Sequence, residues 1–220
     1  MELRWRTKGP APRFLVLLTA MFVEILLAPL IYASPVGVAG ARFVTGILLV
    51  AALATTGIRR TPVVLFVVVL GAHLLAGSRP ETHLVVLASA LRMVFFGYVC
   101  QAVIVRVLRE RNVTYDTLAG AACGYVLLGI VFGEMFFVNE LLGPGSFEIP
   151  TRMVVASAHD LRPALLYFSF VTLTTIGYGD ILPANPGVGG LAVLEAVIGQ
   201  LYLTVTVARL VGLHLAGRNE

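Results

Sequence analysis

The chain has 220 residues, of which 58% are hydrophobic and only 13% charged, and its mean hydropathy is +0.92. So little charge cannot clothe a soluble globule, and this composition also excludes a disordered chain, a disulfide-stapled secreted domain and a cytosolic enzyme. It is the composition of an integral membrane protein, and the net charge of +4 resides in arginines between apolar stretches, a pattern of membrane topology rather than of a nucleic-acid groove.

A helix needs roughly 20 apolar residues to cross the bilayer core. The first such stretch runs over about 14–33, behind a basic start with Arg4, Arg6, Lys8 and Arg13. It is too long for a signal peptide, contains Glu24 and is followed by no Ala-x-Ala site, so it reads as a retained helix. The next three, about 43–57, 62–77 and 84–107, are short and closely spaced. Turn signals at Ser34-Pro35, Arg60-Thr61-Pro62 and Gly77-Ser78-Arg79-Pro80 separate them, giving two tight helical hairpins.

A polar joint, 106–116, leads into a fifth span over about 117–138, on which Gly120, Gly124, Gly129 and Gly133 form two small-x-x-x-small faces. Mixed residues 139–159 come next, with the turn Gly143-Pro144-Gly145, then an apolar run, 161–174, too short to cross. Asp160 is a cap for that run and Pro163 lies in its first turn. A last span covers about 190–215. Cys100 and Cys123 lie inside apolar segments as small hydrophobes, and no disulfide is expected.

Cytoplasmic loops carry the excess of Lys and Arg. With the N-terminus inside, the inner connections hold Arg4, Arg6, Lys8, Arg13, Arg59, Arg60, Arg106, Arg109, Arg111 and Arg218, and the outer ones Arg42, Arg79, Arg152 and Arg162. Both termini are therefore expected in the cytoplasm and 139–186 outside. The sequon Asn112-Val113-Thr114 is then cytoplasmic and silent.

Between the last two spans stands Thr172-Leu173-Thr174-Thr175-Ile176-Gly177-Tyr178-Gly179-Asp180. Non-helical backbone at membrane depth is tolerated only where protein or water surrounds it. Gly177 and Gly179 permit backbone angles closed to other residues, so consecutive carbonyls can turn to one side and offer a ladder of oxygens to a dehydrated ion.

This stretch resembles the signature of the tetrameric potassium channel family, whose filters replace the hydration shell of the ion with rings of carbonyl oxygens. The resemblance implies ion ligands at the carbonyls of Thr175, Ile176, Gly177 and Tyr178, with the Thr175 hydroxyl, in a K+-binding filter that runs through Gly179. Ile176 stands for the commoner valine, and Tyr178 is expected to turn away and pack on the pore helix, 161–174, which ends beside Thr174. One chain supplies one wall, so a homotetramer is implied. By the same resemblance Tyr167 takes the place of a tryptophan that reaches Asp180, Val171 replaces a glutamate beside it, and Glu134 ties the fifth helix to the surround of the filter. Gly199, twenty residues after Gly179, falls at the hinge of the inner helix, where close packing is the alternative reading. The C-terminal end of the pore helix, the negative end of its dipole, favours a cation at the pore centre.

Six spans with a pore loop before the last is the topology of voltage-gated potassium channels. A sensor needs three to four gating charges per subunit, and the fourth span has one, Arg92. Glu24 and Arg92, each about eight residues from the outer end of its helix, are expected to form a buried ion pair locking the first helix to the fourth. His73, His159 and His214 are solitary and read as packing residues.

The expectation is an all-α membrane protein with six transmembrane helices and a re-entrant pore helix. A four-helix peripheral module covers 1–111 and a pore module 112–220. The function expected is passive potassium conduction without steep voltage gating, with no cofactor beyond permeating K+, no nucleic acid, and the lipid bilayer and three further copies as partners. The setting is a cell membrane, bacterial by the Arg- and Ala-rich composition. Only about five residues follow 215, so no cytoplasmic gating domain is expected after it. The alternatives are a subunit of a potassium uptake transporter, whose chains usually carry four degenerate loops, and a non-conducting adaptor with a vestigial pore. An enzyme would need convergent polar residues at one depth.

Overall fold

A backbone in hydrocarbon must satisfy its own N–H and C=O groups, so each long apolar stretch becomes a helix. The computed structural model describes residues 13–32, 37–56, 60–78, 81–111, 113–150 and 161–216. Among them the helices are α1 (Arg13–Tyr32), α2 (Gly37–Thr56), α3 (Arg60–Ser78), α4 (Thr82–Arg109), α5 (Tyr115–Leu142), α6 (Leu161–Leu173) and α7 (Pro186–Ala216). Four of these, α3, α4, α5 and α7, are long and apolar enough to cross a membrane, and α1 and α2 have 20 residues each. His159 and the cap expected from Asp160 lie outside the described residues.

Local chemistry sets the ends. Thr114 and Thr117 form a capping box that starts α5, with Thr117 N–H donating to Thr114 Oγ1 at 3.1 Å. The last helix begins at 186 rather than the expected 190, because Asn185 Oδ1 accepts from Val188 N–H at 3.0 Å and Pro186 fills the first helical position. The second begins at Gly37, six residues before the expected 43, through a run of small residues.

At one end of the bundle Phe14 N–H donates to Asp116 Oδ1 at 3.1 Å, the Arg106 guanidinium lies 5.9 Å over the Phe14 ring, and Arg209 donates to the Glu110 carbonyl at 3.2 Å. The start of α1, the end of α4, the start of α5 and the lower part of α7 thus share one face. At the other end Glu140 accepts from the N–H groups of Gly145 and Phe147, at 2.9 and 3.1 Å. There β1 (Phe147–Glu148) pairs antiparallel with β2 (Leu182–Pro183), Phe147 opposite Pro183.

Two apolar cores hold the helices. One joins α1, α2, α4 and α5 through Leu17, Met21, Leu48, Phe95, Phe96 and Leu127. The other is an aromatic cluster in which Phe136, Phe147 and Phe168 meet edge to face at 5.1–5.6 Å and clamp α6 and β1 onto α5. The α5 glycines permit this approach. A Cβ at Gly129 would stand 2.6 Å from Phe170 and one at Gly133 2.8 Å from Leu166, both on α6, while Gly124 meets Tyr202 of α7.

Candidate functional site

The site grows from the C-terminal end of α6, where four carbonyls lack helical partners. The N–H of Thr174 and its hydroxyl reach Phe170 O at 3.0 and 2.6 Å, and Thr175 N–H reaches Thr172 O at 3.0 Å. The N–H groups of Ile176 and Gly177 converge on Val171 O at 3.0 and 3.3 Å. Tyr125 of α5 donates to Leu173 O at 2.9 Å. The carbonyls at the foot of α6 are thus spent on fastening the next segment, which leaves helix at Thr174.

That segment has an alternating backbone. Thr175, Gly177 and Gly179 have φ of 59°, 61° and 72°, and Thr175 is the single non-glycine residue with positive φ among the described residues. For a β-branched residue this is a true outlier, of the kind that concentrates at functional sites. The carbonyl oxygens of Thr175, Ile176, Gly177 and Tyr178 accept no backbone hydrogen bond among the described residues. The 174–179 stretch is exposed, with Ile176 at 54% and Tyr178 at 67%.

At its outer end the Tyr178 ring stacks on that of Tyr167, 6.5 Å away and tilted by only 5°. Tyr167 donates to Asp180 Oδ2 at 2.8 Å, and Asp180 Oδ1 accepts from Ile181 N–H at 3.1 Å. β2 comes directly after, so the pairing with β1 anchors the exit of the segment to the loop after α5.

Behind α6 the helices bring together a polar cluster whose pairing differs from the one expected. The hydrogen bonds of Arg92 go elsewhere than Glu24, on which its charge acts only at longer range. Arg92 lies against Glu134 of α5, Nε to Oε1 and Nη2 to Oε2, both 3.3 Å, and Arg162 at the start of α6 reaches the same carboxylate. Arg92 also donates to Ser89 Oγ at 2.7 Å and to His73 Nδ1 at 3.1 Å, which makes Nδ1 the unprotonated nitrogen of that ring. Glu24 instead accepts from Thr45 of α2 at 2.7 Å. The reason is packing: α1 and α4 both lie on α5, and α5 brings Glu134 to Arg92. Glu134 accordingly ties α5 to α4 and to the start of α6. Arg162, expected as a loop charge, is mostly buried in this cluster.

A second buried contact lies outside the sequence expectations. Glu195 of α7 is fully buried against Ser169 of α6, whose hydroxyl also lies 2.7 Å from Gly129 O. A lone acid in an apolar helix is the signal that marks it. Gly199, expected as a hinge or a packing residue, stands where Leu173 enters α7. A Cβ there would lie 2.6 Å from Leu173 Cδ1 and 3.2 Å from Leu173 O, and α7 runs unbroken through it. A side chain at this position would have to displace Leu173.

Residues 153–213, which contain α6, the alternating segment and most of α7, match the family described as ion channel. The likeness of this stretch is to ion channels. The chain is also 28% identical over 118 residues to Protein LctB of Bacillus caldotenax, a stretch that makes up 54% of this chain and 87% of that protein. No solved structure matches significantly.

Proposed function

We propose that this chain is one of four identical subunits of a potassium-selective channel in a bacterial cell membrane. α1 to α5 and α7 cross the bilayer, both termini are cytoplasmic, and α6 with residues 174–180 re-enters from outside as pore helix and filter. The observation that carries the reading is the alternation of positive φ at Thr175, Gly177 and Gly179. Positive and negative φ in alternation turn successive carbonyls to one side, and four such ribbons around an axis replace the water of a potassium ion. Residues 1–111 form a peripheral module and 112–220 the pore module. Weak voltage dependence is expected because Arg92 is fastened to Glu134 of its own chain and has no ladder of companions.

The test is ion flux into liposomes containing the purified protein. Potassium uptake that barium blocks and sodium does not replace supports the proposal. Equal sodium and potassium flux, or none, defeats it.

A further inference from the structure

The pairing of Arg92 with Glu134 leaves a feature that conduction does not use. Glu24 is 8% exposed, its Oε1 accepts from Thr45, and its Oε2 has no hydrogen-bond partner among the described residues. A buried carboxylate oxygen without a donor costs several kcal/mol by rough reckoning and requires an explanation. Glu24 lines a cavity of about 210 Å³ between α1, α2, α4, α5 and the back of α6. Apart from Glu24, Thr45, Glu134 and Arg162 the walls are mainly apolar, with Phe96, Ile130, Leu166 and Phe170 among them.

Size and charge select the occupant. An apolar cavity of about 150 Å³ already holds benzene, so this one takes a substituted ring or a short chain. The guanidinium groups of Arg92 and Arg162 both reach Glu134 beside the cavity. A cationic ligand would meet those two cations, whereas a neutral hydroxyl would supply the missing donor. We propose that the cavity behind α6 is a binding site for a small neutral amphiphile, an aromatic or short-chain alcohol, whose hydroxyl donates to Glu24 Oε2. Tyr167, which also lines the cavity, holds Asp180, so the ligand touches the residue that braces the filter segment.

Binding is read without reference to conduction, which keeps this test separate from that of the channel itself. The full chain in detergent is titrated by ligand-observed NMR with p-cresol and with p-xylene, isosteres that differ by hydroxyl for methyl. Wild-type protein is expected to prefer p-cresol by about tenfold over its partition into empty micelles, the factor one hydrogen bond contributes. Glu24→Leu should erase the preference while still binding p-xylene, and Ile130→Phe, which fills the cavity, should lose both ligands. Glu24→Gln keeps an acceptor for Thr45 and folds most conservatively; a reduced preference supports the site even if the leucine variant fails to assemble. Equal affinity for the two ligands in wild type, an undiminished preference in Glu24→Gln, or binding untouched by Ile130→Phe would overturn it, leaving a cavity filled by water alone.

Discussion

Thr175 holds a β-branched side chain at φ 59°, a conformation that costs about 1–3 kcal/mol and persists because its neighbours fix it. The fastening is visible: its own N–H is tied to Thr172 O, and the next two to Val171 O. Gly177 and Gly179 announce their backbone freedom in the sequence, but Thr175 does not, since its angle arises only from the alternation they begin. At Gly177, φ 61°, an added methyl group costs about 1–2 kcal/mol. Gly177→Ala is therefore expected to abolish potassium flux while circular dichroism still reports a folded helical protein; normal flux would contradict the role given to this backbone. Tyr167→Phe keeps the stack on Tyr178 and removes the bond to Asp180. A hydrogen bond to a charged group is worth about 1.5–3 kcal/mol. Single-channel recording should show filter closures that are more frequent by roughly tenfold or more, with unitary conductance little changed.

Between elements, the informative contrast is that of two buried acids. Glu134 carries two guanidinium groups, whereas Glu24 carries one hydroxyl bond. Removing one partner of a buried pair costs about 3–5 kcal/mol. Glu134→Gln should lower the melting temperature in detergent strongly and Glu24→Gln weakly; the reverse order would restore the pairing of Glu24 with Arg92. That buried charges must find partners is legible in the sequence, but not which partners. Depth along a helix can be counted from residues, whereas the facing neighbour depends on how helices rotate against α5. A second contrast concerns Gly199 and Leu173, which occupy one space. Overpacking by a methyl costs about 1–3 kcal/mol. Gly199→Ala should impair thermal stability, and Leu173→Ala in the same chain should recover it. No recovery would mean that the glycine serves bending rather than fit.

On the scale of the whole molecule, the chain leaves much apolar surface uncovered. α7 is apolar along its length yet buries only Val188, Glu195, Gly199 and Thr206, and the side chains of Ile176 and Tyr178 are exposed as well. Apolar surface on this scale is covered by lipid or by other copies. Native mass spectrometry is expected to find four chains per particle. Potassium should raise the temperature at which they dissociate, because an ion bound only by the assembled form stabilises it by mass action. A monomer indifferent to potassium would remove the basis for a shared pore.

Sequence alone determined the features that composition and short-range chemistry dictate. The apolar stretches had to be helices in a membrane, and the Thr-Ile-Gly-Tyr-Gly-Asp run had to be a non-helical segment between two of them, because hydropathy and glycine act locally. The Asn185-Pro186 start of α7 is a signal of the same local kind, one that hydropathy by itself does not carry. Only tertiary structure decided the partners of Arg92, the contact between Leu173 and Gly199, the place of Glu195 against Ser169 and the cavity at Glu24. Each depends on side chains from separate helices meeting at one depth, a property of no single stretch of chain.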